Sequence, residues 1–175
     1  IAEQYFPIGD GGSISLGFIY VATGIGTGIG PILGRYWAND RHRHLRIAIA
    51  LGYVFSMVGF LITSTLISFP VVLIGAFLRG IGGGIVWVLG TQLLLQLLPN
   101  EVRGRVFSTE FAMNSLATAI ASGSAGVLID GSLGVSGILI LFAGLTVIPT
   151  VLWSIWIAME KREHLIISDE PAIAP

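Results

Sequence analysis

Arg79–Phe107 reads RGIGGGIVWVLGTQLLLQLLPNEVRGRVF. An arginine opens a long apolar run, four glycines follow within five positions, and the run stops at a basic stretch, Pro99-Asn100-Glu101-Val102-Arg103-Gly104-Arg105. A soluble domain has no reason to set these features in this order. A helix that crosses a bilayer and leaves it at a charged surface does.

The totals agree. Of 175 residues 54% are hydrophobic and 11% charged, against roughly 25% charged in an ordinary soluble domain. A mean hydropathy of +0.87 places the chain among polytopic membrane proteins. Formal net charge is −1, so no overall electrostatic case for nucleic acid exists. The absence of cysteine excludes disulfides, thiolate metal sites and cysteine nucleophiles. The chain opens on Ile1 without the pattern of a signal peptide and looks like a piece of something longer.

A hydrocarbon core of about 30 Å takes roughly 20 apolar residues in a helix. Five runs meet that length, at about 13–36, 47–67, 70–98, 106–129 and 135–159. The expected fold is therefore all-α, a polytopic membrane bundle of about five transmembrane helices. Residues 1–12 are expected as an extracytoplasmic segment, 13–160 as the bundle and 161–175 as a cytoplasmic tail, disordered from Ser168. Breaks are expected at Ser68-Phe69-Pro70 and Asp130-Gly131-Ser132.

Basic residues sort the connections. Arg35, Arg41, Arg43 and Arg46 lie between the first two runs, Arg103 and Arg105 between the third and fourth, and Lys161 and Arg162 after the fifth. The other connections carry no lysine or arginine, so the positive-inside rule predicts an outside N-terminus and a cytoplasmic C-terminus. Trp37, Trp153 and Trp156 fall where interfacial aromatics are expected.

Arg79 stands inside an apolar run, at a cost of about 2.5–3.5 kcal/mol if central. The acids expected on the outer side, Glu3, Asp10 and Asp130, sit near span ends and offer no partner at its depth. It either snorkels and braces helix ends or serves a substrate or proton pathway. Gln92 and Gln96 are four apart and share a helix face, bordered by Thr91. Glu110 and Asn114 repeat that spacing on the next span, continued by Thr118 and Ser122. These two polar stripes either line a cavity or make interhelical hydrogen bonds. For Glu110 the plain alternative is an acid favoured by a helix N-terminus.

Glycines repeat at four: Gly24 with Gly28, Gly26 with Gly30 and Gly34, Gly80 with Gly84. The default reading is close helix packing, with Gly83 in the same cluster. Enzyme readings are weaker. Gly134-Val135-Ser136-Gly137 matches an intramembrane serine protease motif but has no histidine at its depth. No Walker-type Gly-Lys-Ser/Thr exists, and His42, His44 and His164 are read as solvated residues, so neither metal nor cofactor is expected.

Arg79-Gly80-Ile81-Gly82-Gly83-Gly84-Ile85-Val86-Trp87-Val88 and Leu98-Pro99-Asn100-Glu101-Val102-Arg103-Gly104-Arg105-Val106-Phe107 together resemble the C-terminal portion of a major facilitator superfamily transporter, in its bacterial exporter-like branch. The resemblance implies a partial major facilitator fold, with five spans equivalent to helices eight to twelve. It implies two six-helix halves rocking about a midplane site. Arg79 with Gly83 looks like the pseudo-repeat of the family's Arg-x-x-x-Gly. Gly30-Pro31-Ile32-Leu33-Gly34-Arg35 looks like a relic of its basic turn, with Gly34 where the family places an acid; Arg103 and Arg105 are then left to pair with acids across the cytoplasmic face. The expected function is proton-coupled export of a small amphipathic molecule across the bacterial inner membrane, in concert with a missing N-terminal half. Glu110 is the first candidate proton carrier. The alternative is a non-transporting membrane module that binds or scaffolds a partner protein.

Overall fold

In the computed structural model, which describes residues 1–38, 42–131 and 133–168, six α-helices follow one another with a single 3-10 turn. They are α1 (Ala2–Tyr5), α2 (Ser13–Ala38), α3 (His42–Ser64), α4 (Phe69–Leu97), α5 (Asn100–Asp130) and α6 (Gly134–Ser168). No strand occurs among the described residues. Five helices are long and apolar enough to cross a membrane. Arg41, Ser132 and the tail from 169 onward lie outside the described residues.

Helix ends differ from the apolar runs for local reasons. The basic stretch expected as a turn is helical from Asn100, with Pro99 as N-cap. Apolar content shows where a helix meets lipid, whereas helix continues wherever backbone hydrogen bonds can form. The second span ends at Ser64, before Ile67, because Thr65 and Leu66 turn back on Ile62 and Thr63 and Leu66 takes φ 50°. Phe69 and Pro70 belong to the first turn of α4, where proline's missing N–H costs nothing. The last helix runs 35 residues, about 52 Å at 1.5 Å per residue, and so continues well past a 30 Å core.

α4 is the central helix, packed between α2 and α3, with α6 on the far side of α3. Backbones approach closely on both flanks of α4. A Cβ on Gly26 or Gly30 of α2 would overlap the carbonyl oxygen of Phe77 or Ile81, and one on Gly80 or Gly84 would overlap that of Thr23 or Thr27. Pro31 lies inside α2 and removes the amide that would bond Thr27 O. Gly84 packs against that oxygen so closely that a Cβ there would overlap it. On the other flank Gly52 meets Gly82, and Gly59 meets Gly75 and the Arg79 backbone.

α3 and α6 are pinned at both ends. Ser136 Oγ donates to Ser64 O at 2.6 Å, and Trp153 Nε1 donates to Arg46 O at 2.7 Å. Arg46 lies over the Trp156 ring at 4.0 Å, Trp153 and Trp156 stack edge to face, and Phe60 meets Phe142 midway. Around the Arg46 end a buried cluster forms from Leu45, Ile49, Ile85, Leu89 and Leu93. At the opposite end the N-terminal segment hooks over α2: Ser15, fully buried, donates to Phe6 O and accepts from Ile8 N, and Phe6 and Phe18 flank Phe69. α5 stands apart. None of its apolar window is buried, and its packing along the helix is confined to a few contacts with α6.

Candidate transport site

Arg79 is positioned by the tightest part of the fold, since Gly59 of α3 abuts its backbone. Its side chain turns into a cavity of about 300 Å³ lined by Tyr53, Ser56 and Phe60 of α3, Gly83, Val86 and Trp87 of α4, and Thr146 of α6. The guanidinium carbon lies 5.6 Å from the centre of the Phe60 ring. A cation over a ring face is attracted by the ring quadrupole, more strongly when shielded from water. Half-buried, with polar neighbours on two other helices, the charge can be hydrated or meet an anion from the open side of the cavity. Tyr53, Ser56 and Thr146 were not singled out in the sequence. Their one available signal was a polar group inside an apolar run, and nothing in linear order joins them to Arg79.

The two polar stripes are not brought together. Gln92 is half-buried and Gln96 exposed on α4, whereas Glu110 and Asn114 lie along shallow grooves lined by residues of α5 alone. Glu110 shares its groove with Arg105, Val106, Thr109 and Met113. Asn114 Oδ1 accepts from Thr118 Oγ1 at 3.3 Å, and Ser122 continues exposed along the helix. Because α5 starts at Asn100, Glu110 is nearly three turns from the helix N-terminus, beyond the reach of the terminal dipole.

The Arg-Gly-Arg segment divides between two tasks. Arg103 turns back on α4, its Nε donating to Leu98 O at 3.1 Å and Nη2 to Leu95 O at 2.9 Å. It thereby satisfies carbonyls that the last turn of α4 leaves without amide donors. Gly104 is exposed with open space about it, and Arg105 is exposed beside the Glu110 groove. Gly83, unlike Gly80 and Gly84, faces open space at the Arg79 cavity. Ser136 is committed to Ser64 O, which gives the Gly-x-Ser-Gly match a structural role. His44 packs against Trp37, the ring centres 5.6 Å apart and the planes tilted by 42°, and is half-buried rather than solvated. No group of metal-ligating side chains occurs among the described residues.

A sequence profile described as Major Facilitator Superfamily matches residues 8–174. The chain belongs to this superfamily. It is also 28% identical over 100 residues to a Bacillus subtilis (strain 168) protein called uncharacterized MFS-type transporter YfiU, a match covering 57% of this chain and 19% of that protein. The chain thus aligns with about a fifth of this curated relative. No solved structure matches it. Membership in a transporter superfamily, joined to five apolar helices, makes this a multi-pass membrane protein.

Proposed function

We propose that the chain is the C-terminal part of a secondary active transporter that exports small amphipathic molecules by alternating access, driven by protons, in the bacterial inner membrane with its C-terminus in the cytoplasm. The superfamily match carries the transport reading. Support for a second half comes from α5, whose apolar length is unburied, with Phe111, Met113, Leu116 and Ile120 all outward. Such a helix either faces lipid along its whole circumference or packs on segments beyond this chain; its groove with Glu110, Asn114 and Thr118 favours the second. Glu110 is the proposed proton carrier and Arg79 the proposed charge that attracts an anionic group or orders water in its cavity. Gln92 and Gln96 are proposed to line the pathway on α4 once the halves meet.

Ethidium uptake into inside-out vesicles, driven by an imposed pH gradient, tests this in the full transporter. Glu110→Gln is expected to abolish gradient-driven uptake and Arg79→Ala to reduce it several-fold, with both variants inserted at wild-type levels. Unchanged uptake in Glu110→Gln would remove that residue from the proton pathway. A non-transporting module that scaffolds a partner protein is the second reading, supported by the same unpartnered α5; co-purification of a stable protein partner with no gradient-driven uptake would favour it.

A further inference from the structure

Among the described residues Arg79 has no ion pair and no hydrogen bond, and no acid lines its cavity. The one ionisable side chain acting on its charge among the described residues is the phenol of Tyr20, on α2, and not a carboxylate. The cavity lies midway along the helices that form it. Tyr53 is halfway between residues 42 and 64 of α3, Gly83 halfway between 69 and 97 of α4, and Thr146 at the middle of the apolar stretch 134–159 of α6. Arg79 is four residues from the α4 midpoint, roughly 6 Å at 1.5 Å per residue, against the ~15 Å half-thickness of a hydrocarbon core. At that depth an uncompensated charge is costly, and a counter-ion is favoured.

The rest of the lining says which counter-ion fits. Tyr53, Ser56 and Phe60 are spaced by three and four and so present one face of α3, as Arg79, Gly83 and Val86 do on α4. Neither the Tyr53 nor the Ser56 hydroxyl makes a hydrogen bond among the described residues, so both protons are free to donate. Thr146 Oγ1 already donates to Ala143 O at 2.7 Å. The cavity thus offers a guanidinium and two hydroxyl donors with no acid to repel an anion, and its apolar walls are the rings of Tyr53, Phe60 and Trp87 with Val86. Gly83 supplies the room, because a Cβ there would meet nothing within 4 Å. At about 300 Å³ the space is at the lower end of ligand pockets and takes one small molecule.

We infer that this cavity binds a small aromatic monoanion of the benzoate kind, its carboxylate on Arg79 among the Tyr53 and Ser56 donors and its ring against Phe60 and Trp87. This gives the ligand class of the proposed transport site, and it rests on that reading only for the ligand's being carried across. Binding is measured apart from uptake, so either can fail without the other.

The probe is para-iodobenzoate, with the uncharged para-iodobenzyl alcohol and the cationic para-iodobenzylamine as matched controls, titrated on the complete protein in a nonionic detergent. Iodine quenches tryptophan fluorescence at close contact, so Trp87 reports occupancy. The carboxylate is expected to bind tighter than the alcohol by roughly tenfold or more, the worth of one charge-assisted hydrogen bond, and the amine to give no saturable quenching. Arg79→Gln should bring the carboxylate to the level of the alcohol, whose own binding should be unchanged, while Arg79→Lys keeps most of the preference. Gly83→Leu should fill the cavity and remove saturable quenching by either compound without lowering the thermal midpoint, since the first atom of its side chain meets no neighbour. Trp87→Phe should abolish the saturable signal. Equal binding of carboxylate and alcohol would overturn the inference, as would a preference that survives Arg79→Gln or saturable quenching that survives Gly83→Leu or Trp87→Phe. Selective binding without gradient-driven uptake would keep the anion site and remove its transport role.

Discussion

Glycine at positions 26 and 80 is required by contact rather than by chain flexibility, because the atoms facing these positions are backbone and cannot rotate away. Gly26→Ala and Gly80→Ala are expected to destabilise the protein by about 1–3 kcal/mol each, the usual cost of overpacking. Gly24→Ala and Gly28→Ala meet open space and should stay within about 0.5 kcal/mol of the parent. Thermal unfolding in detergent distinguishes the two sets, which linear spacing alone cannot: Gly26 with Gly30 and Gly80 with Gly84 repeat at four, as Gly24 with Gly28 does. On α2 the difference is set by which face meets α4, some fifty residues away in sequence: Gly26 lies on that face and Gly24 and Gly28 do not. Arg79 teaches a related lesson. Its presence in a span was plain from composition, but Phe60 beneath it and Tyr53, Ser56 and Thr146 around it come from two other helices.

Among the elements, α3 and α6 behave as one strut. Their tethers, Ser136 to Ser64 O and Trp153 to Arg46 O, lie 18 residues apart on α3 and 17 apart on α6, by the difference of positions 64 and 46, and 153 and 136. Matching intervals mean antiparallel helices held in register along about 26 Å. Ser136→Ala and Trp153→Phe should each cost about 0.6–1.7 kcal/mol, the range of single hydrogen bonds within membranes, and should add because the sites share no partner. Non-additivity in the double variant's unfolding would show that the two ends communicate. α5 has the opposite character. Arg103 clips its start to α4 through Leu95 and Leu98, and farther along a few contacts with α6 leave an apolar cavity of about 370 Å³ between the two helices. Its helix begins six residues ahead of the apolar run, through Asn100-Glu101-Val102-Arg103-Gly104-Arg105, because hydropathy registers apolar length and not helical backbone.

For the molecule as a whole, the distribution of arginine predicts orientation, and the lack of cysteine makes it directly measurable. Ile67, 77% exposed, lies in the turn between α3 and α4, and Tyr36 lies at the end of α2. With the basic connections in the cytoplasm, a membrane-impermeant maleimide should label Ile67→Cys in intact cells and Tyr36→Cys only after the membrane is opened. The reverse pattern would invert the proposed topology.

All-α class and five apolar spans were legible in the sequence because a bilayer imposes them residue by residue: apolar length and paired backbone groups are local quantities. So was the superfamily, through Arg79–Val88 and Leu98–Phe107 read together. Tertiary structure alone decided which glycines meet a neighbour, that α4 is the hub, that Ser136 and Trp153 are tethers, and that Arg103 and Arg105 part company. These depend on the relative rotation and neighbour order of helices. Without a difference in polarity between helix faces and lipid, hydropathy carries little record of that rotation, and close packing against particular carbonyls and side chains has to decide it.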